Sequence, residues 1–460
     1  MANKKKILIF IDLPIILRHF IANKTFKNLE ENYDLIYVFN QDKYNFKANK
    51  IVKDNILPDQ IRTTFIPRKR TGKWFLLYII TVLRQQKTKG EKNYKSRLIL
   101  ERKRIGKRNL FLAQIAGLPL IYQITRFVFI KLLGIHPEIK NLIKDEKPDL
   151  ILHPSILQGY YVNELFRVYI KNRKSIPLIL LMNSWDNPSQ KAFCTGSPTK
   201  LVVWGEQSKQ HAIKYMKMNK KDIECFGAAQ FEVYKNKPKY SRNELAKFFK
   251  VNPKKKIILY AGSGHGGYET EYLRLLDEFI NSNLLDNCHI IYRPHPWRGG
   301  LGEGEEDFLS IKWENITIDP SMHEYYQNEI KNVTGLPSLV DYEITNMLLT
   351  LVDAVISPLS TILVEALVNG KPILLFFPDK QNNDNEVKPK DLIHFAELIK
   401  LKNINVCYEQ KYFRQSCLDL YKQIDDLKLS KVLIKDSEFF VTRSKYSYSK
   451  QLFKLVKNYL

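Results

Sequence analysis

The residues best suited to chemistry fall in three short strings, each directly after an apolar run. In the first, IILYAGSGHGGY over 257–268, a candidate strand runs into Gly262, Ser263, Gly264, His265 and Gly266, and a helical pattern follows. Glycines let a backbone approach a ligand closely, and a helix start offers free amides to a phosphate. No Gly-Lys-Ser/Thr follows, so this is not a Walker loop, and the third glycine is misplaced for G-x-G-x-x-G. A plain strand-to-helix turn would use the same glycines. In the second, YRPHPWRGG over 292–300, Arg293 suits bidentate pairing with phosphate. His295 is fixed between Pro294 and Pro296 at a strand's carboxyl end, where doubly wound sheets bind ligands. A proline-rich turn in solvent is the other reading. In the third, SPLSTILVEALVNGKP over 357–372, Ser357 ends a strand and Ser360 is the expected N-cap of a helix. The hydroxyls of Ser357, Ser360 and Thr361 would then join the first helical amides around an anion. Glu365 shares a helix face with Thr361 and is placed to accept from a ribose. A capped helix with its glutamate in solvent fits the same residues. All three strings lie in one half of the chain, so together they suit a nucleotide's base, sugar and phosphates.

These strings need elements to hold them. Short apolar runs recur at Ile7–Ile11, Leu35–Phe39, Leu150–Leu152, Leu178–Leu181, Leu201–Trp204 and Ile223–Phe226. A second series follows at Ile257–Ala261, His289–Tyr292, Ile316–Ile318, Ala354–Ser357, Ile373–Phe377 and Ile404–Cys407. Runs this short, without alternation and separated by helical stretches, suit parallel strands buried on both faces. Two series mean two doubly wound α/β domains, expected at 1–235 and 236–430, with the seam in the polar stretch Glu232–Lys255. Residues 431–460 read as a helical segment crossing back to the first domain.

The stretch 62–135 interrupts the first domain. Between Arg62 and Lys131 there are 18 Lys/Arg against two acids, Glu91 and Glu101, and much of the net charge of +25 is concentrated there. Apolar runs alternate with the basic cluster, which suits contact with an anionic membrane surface; an ordinary helical insertion with a solvated basic face is the alternative. No nucleic-acid-binding module accompanies the charge, so no nucleic-acid partner is expected. The nearest approach to a membrane span, Leu110–Leu133, is broken by Gln114, Pro119, Gln123, Arg126 and Lys131, so lying on a bilayer is expected rather than crossing it. The start, MANKKKILIFIDLP, mimics a signal peptide, but its apolar run is short and contains Asp12; a buried first strand is the expectation. Five dispersed cysteines without a C-x-x-C pair argue against a disulfide framework and a cysteine-rich zinc site, and fit a reducing cytoplasm. The expected location is cytoplasmic, peripheral on the inner face of the plasma membrane.

The R-P-H-P turn followed by S-x-x-S-T-x-x-x-E-A-x-x-x-G-K-P resembles the nucleotide-binding domain of GT-B glycosyltransferases of bacterial surface and capsular polysaccharide synthesis. The His-Pro pair and Ser/Thr-rich helix start are similar to those of bacterial sialyltransferases and 3-deoxy-ulosonic acid (Kdo) transferases, which use CMP-activated sugars. Asn183-Ser184-Trp185-Asp186-Asn187, Val203-Trp204-Gly205-Glu206 and Phe226–Phe231 look like the same broad class, so the resemblance covers roughly Leu178–Phe377. It implies two Rossmann-like domains facing a central cleft. His295 would contact the donor phosphate or ribose, Ser360 and Thr361 the phosphate, and Glu365 the ribose or base. The acidic pair plus glycine that often carries the base in sialyltransferases is absent. Ser357 stands where many retaining enzymes have a second glutamate, which implies inversion. No D-x-D occurs, so no metal-bound donor is expected.

Inverting transfer requires one general base for the acceptor hydroxyl and groups that stabilise the leaving phosphate. The base is expected from the first domain. Asp186 is the first choice, although an aspartate beside Asn187-Pro188 also suits a turn; Asp12 and His153, ending neighbouring strands, come next. The expected activity is transfer of a sugar from a nucleotide-activated donor, with a CMP-sugar favoured, to a surface-polysaccharide or lipid-linked glycan acceptor. No cofactor is expected beyond the nucleotide-sugar donor. A CDP-glycerol-type glycerophosphotransferase, a UDP-sugar 2-epimerase-like enzyme and a non-catalytic scaffold for a polyanion are the competing readings.

Overall fold

A computed structural model describes residues 4–40, 62–66, 72–88, 90–158, 161–171, 175–262, 269–295, 311–323, 342–378 and 389–460. The chain divides into two compact units, one of Met1–Glu232 with Asp391–His394 and Phe439–Leu460, the other of Val233–Lys390 with Phe395–Glu438.

The first unit is built on a parallel sheet of seven strands: β1 (Lys6–Ile11), β2 (Asp34–Asn40), β3 (Arg62–Ile66), β4 (Leu150–Ser155), β5 (Leu178–Met182), β6 (Lys200–Val203) and β7 (Ile223–Cys225). Their order is β3-β2-β1-β4-β5-β6-β7. The second unit carries six parallel strands: β8 (Lys256–Ala261), β9 (Cys288–Arg293), β10 (Ile316–Ile318), β11 (Ala354–Ser357), β12 (Ile373–Phe376) and β13 (Asn405–Cys407), ordered β10-β9-β8-β11-β12-β13. These are the two parallel α/β domains that the two series of apolar runs imply. Central strands are buried along nearly their whole length because helices cover both faces, as with Ile7–Ile11 in β1 and Leu178–Met182 in β5.

β3 departs from the sequence reading, which began the insertion at Arg62. Residues Arg62–Ile66 pair with Ile36–Asn40 of β2 at the sheet edge. An edge strand needs no continuous apolar run, and RTTFI, exposed at its start and buried only at Ile66, has none. The helical part of the insertion follows as α1 (Gly72–Lys87), α2 (Glu91–Ala116, broken at Gly106, whose φ of 76° is not helical) and α3 (Pro119–Leu133). These helices share a small core of their own around Leu77, Ile80, Leu83, Leu110 and Ala113.

Candidate functional site

In an open α/β sheet, ligands bind beyond the carboxyl ends of the strands where the strand order reverses. In the second unit that point lies between β8 and β11. The registers set Ala261 of β8 beside Arg293 of β9, and Tyr260 beside Ile356 of β11. The three strings singled out in the sequence therefore leave three adjacent strands at the same sheet edge. Ser263, Gly264, His265, Gly266 and Pro296 lie outside the described residues.

The residues around this edge are wired to one another. Gly262 packs against Glu269, the first residue of α4 (Glu269–Asn281); a Cβ at position 262 would stand 2.7 Å from both carboxylate oxygens. Only glycine fits without displacing a buried carboxylate that also accepts from the Tyr292 hydroxyl. Arg293, expected to meet phosphate, directs its Nε to Asp319 at 3.1 Å and Nη1 to the Thr345 hydroxyl at 3.1 Å. Its guanidinium is thus oriented by protein groups. Ser357 is buried, and its hydroxyl is directed to the carbonyls of Ala261 at 2.9 Å and Pro358 at 2.8 Å, tying β11 to β8 instead of facing outward. Ser360 is not the N-cap. The helix α5 spans Ile362–Val368, its cap is Thr361 with helical backbone angles, and no side chain caps the first turn. Ser360 and Thr361 are both partly exposed just before it. His295, partly exposed, lies two residues beyond β9. Glu365 is nearly buried and accepts from the Tyr234 hydroxyl. Burial, and then the Glu365 charge, hold the Tyr234 phenol well above its ordinary range, so it stays a donor.

In the first unit the strand order reverses between β1 and β4, and ionisable side chains gather there. Asp12 directly follows β1, His153 lies in β4, and His153 Nε2 stands 3.3 Å from Asp12 Oδ2 with both side chains fully buried. Among the described residues neither ring nitrogen of His153 has a hydrogen-bond partner, so the approach to Asp12 is an ion-pair distance and not a hydrogen bond. A buried polar nitrogen left unpaired is costly unless something else engages it. Glu164, in the first turn of the helix Val162–Lys171, is also buried, and burial pushes its carboxyl up to about 7, with the Asp12 charge acting the same way. Its Oε2 also lacks a partner among the described residues. Further along the same edge, His19 Nδ1 meets Asn183 Oδ1 at 2.7 Å, and burial depresses the imidazole to about 3, so this histidine is neutral.

Asp186 is placed differently. It precedes the helical turn Asn187–Lys191, and its Oδ1 accepts from Asn187 Nδ2 at 3.1 Å while its carbonyl accepts from Gln190 N–H. This is the turn-forming arrangement. The structure brings Asp12 and His153 together as a pair and sets Asp186 four residues beyond the end of β5.

Neither a family model nor a curated protein matches this sequence. Solved structures do match over its whole length. A Listeria monocytogenes structure assigned as a UDP-N-acetylglucosamine 2-epimerase aligns with TM-score 0.55 at 12% identity, covering 100% of this chain and 96% of that one. The S. aureus MnaA–UDP structure aligns at 0.50 and 13%, covering 99% and 96%. The wall teichoic acid polymerase TagF aligns at 0.50 and 10%, covering 99% and 89%. At such identities the likeness is one of fold.

Proposed function

We propose that this chain is a glycosyltransferase that moves a sugar from a nucleotide-activated donor to a surface-polysaccharide or lipid-linked glycan acceptor, with inversion and without a metal. The observation that carries the reading is the segregation of chemistry between the two switch points. The second unit presents hydroxyls, a histidine and a tyrosine-bound carboxylate at the sheet edge that Gly262 also occupies, which suit a nucleotide. The first presents a buried carboxylate–imidazole pair whose ring nitrogens have no hydrogen-bond partner among the described residues, which suits proton transfer.

In the proposed reaction, the acceptor oxygen attacks the anomeric carbon as the bond to the donor phosphate breaks. His153 Nδ1 takes the hydroxyl proton, and the Asp12 carboxylate, 3.3 Å from Nε2, stabilises the imidazolium. This gives the base to His153 in place of Asp186. The nucleotide departs with the bonding electrons, stabilised by Ser360, Thr361 and His295. Glu365, oriented by Tyr234, takes the ribose hydroxyls. A CMP-sugar donor rests on the motif resemblance. The UDP held by MnaA gives a uridine donor equal standing, and the same fold in 2-epimerases supports a UDP-sugar epimerase as the second reading.

A thermal-shift panel of CMP, CDP, UDP and GDP on the full chain tests the donor class, since a nucleotide that binds the folded protein raises its melting temperature. One nucleotide is expected to dominate. No shift with any of the four would remove the donor site. Epimerisation of a UDP-sugar without an acceptor would move the assignment to the second reading.

A further inference from the structure

The helices α2 and α3 end in an apolar surface that the first unit leaves uncovered. Leu120 is 83% exposed, Ile124 67%, Leu132 64% and Phe111 63%. Phe127 and Leu112 continue the same surface at more than half exposure. Soluble proteins rarely leave so many large apolar side chains exposed within about 20 residues unless something covers them.

The bend that makes this tip is fixed in place. The two helices meet at 102° across a short break. At the break, Arg84 of α1 donates to the Gly117 carbonyl at 3.0 Å and stacks over the Tyr122 ring at 4.9 Å. Tyr122 also meets the Thr81 hydroxyl at 3.1 Å, and Arg126 donates to the Thr195 carbonyl at 2.7 Å. The polar side of α3 is thus anchored to the unit, and its apolar side is left outward.

Charge selects what covers it. From Arg102 to Leu133 there are seven Lys/Arg and no acid. Lys107 and Arg108 are exposed on the part of α2 that follows the break at Gly106 and leads into the apolar tip, and Lys103 is exposed just before that break. Phe111 and Leu112 stand four residues after Lys107 and Arg108, so cations and apolar groups share one side of the helix. A second copy in a two-fold dimer would bring the same cations against themselves. An anionic bilayer offers hydrocarbon to the tip and phosphates to the collar. Length limits the depth: α3 has 15 residues, or about 22 Å, against a hydrocarbon core of about 30 Å. No single helix among the described residues is long and apolar enough to cross a membrane.

We infer that the α2–α3 bend is a wedge that enters one leaflet of an anionic phospholipid bilayer, with Lys103, Lys107 and Arg108 at the headgroups. The inference stands apart from the proposed transferase activity, because its test reads membrane binding and not turnover.

The test is flotation of the full chain with vesicles of phosphatidylcholine alone or with phosphatidylglycerol added. Wild type should float with the anionic vesicles. The triple variant Phe111→Glu, Ile124→Glu, Leu132→Glu should lose about tenfold or more in partition while keeping the wild-type melting temperature, since all three side chains lie outside the core. Replacing Lys103, Lys107 and Arg108 by Ala should cost about fivefold per charge, on anionic vesicles only. An Ile124→Trp variant should be quenched by lipid brominated on its acyl chains. The inference is overturned if wild type stays unbound to both vesicles. It is equally overturned if the apolar triple variant floats like wild type, which would mean charge alone, or if that variant turns a dimer into a monomer, which would mean a second copy covers the tip.

Discussion

The two sheets of this chain are alike in topology and opposite in the chemistry placed at their switch points. Beside β1 and β4, the first unit gathers Asp12, His153 and Glu164, all buried, two of them with atoms that meet no partner among the described residues. Beside β8 and β11, the second unit spends its polar groups on one another: Ser357 on Ala261, Arg293 on Asp319, Tyr234 on Glu365 and Tyr292 on Glu269. One edge holds unsatisfied titratable groups in a low-dielectric setting, which is where proton affinity can be tuned. The other is a tied framework, which suits holding a ligand without reorganising around it. A shared fold therefore says where a site lies, and the side chains at that place say what it can do.

The division makes separable demands on variants. His153→Asn should lower transfer about 10³-fold while leaving nucleotide affinity unchanged, as read by kcat and by titration of the nucleotide that the panel selects. Loss of nucleotide binding in that variant would erase the distinction between the two edges. Next in size is a pH effect. Glu164 holds its proton up to about pH 7, whereas a carboxyl in the unfolded chain loses it near 4.5. Stability is thus fully present below the lower value and declines as pH rises through the upper one. Glu164→Gln removes that decline, so relative to wild type it should gain about 3 kcal/mol between pH 4 and pH 8 in denaturant titrations. Equal pH profiles for the two proteins would show that this carboxyl is ordinary. His19 works in the opposite sense, because its pKa is depressed from 6.5 to about 3: its contribution is present above the first value and lost as pH falls through the second.

On the second edge, Gly262→Ala sets a methyl group against the Glu269 carboxylate and should destabilise by about 2 kcal/mol, visible in urea unfolding of the full chain. An unchanged midpoint would mean that the carboxylate moves freely and the framework is looser than its contacts imply. The smallest effect is expected from Glu365→Gln, which keeps shape and one acceptor but loses charge: nucleotide binding should weaken about tenfold with little change in the acid–base profile of turnover. A variant that shifts that profile instead would place acid–base chemistry on both edges.

Much of this architecture is legible in the residues. All twelve apolar runs singled out in the chain are strands, because a strand buried on both faces must be apolar throughout. β3 escapes for the converse reason: at an edge, RTTFI is held by backbone pairing with β2 and needs no apolar run. The three ligand-suited strings were visible because glycine, proline and hydroxyls mark where strands end. What those side chains touch was not visible. Asp319 reaches Arg293 from 26 residues away, and Tyr234 reaches Glu365 from 131. Glu164 left a faint signal, since it shares a helix face with Tyr161 and Val168, both buried. An acid on an apolar face asks for an explanation, and here Trp74 and Asp12, some 90 and 150 residues distant in sequence, are part of it.

One feature of the first unit bears on how the chain comes to be folded in the cell. Phe439–Leu460 belongs to that unit, with Tyr448, Leu452, Leu455 and Val456 in the same core as Ile7 and Ile9 of the opening strand. Gly205 lies so close to this returning segment that a Cβ would stand 2.6 Å from the Phe440 carbonyl oxygen. The first unit therefore closes its core only with a segment that follows the second unit's strands in sequence. Its apolar faces must wait through translation of the whole second unit, so during that interval a nascent chain is a natural client for chaperones. Removing the helix Tyr448–Lys457 would open the core around Ile7 and Ile9 and leave the second unit's own core whole.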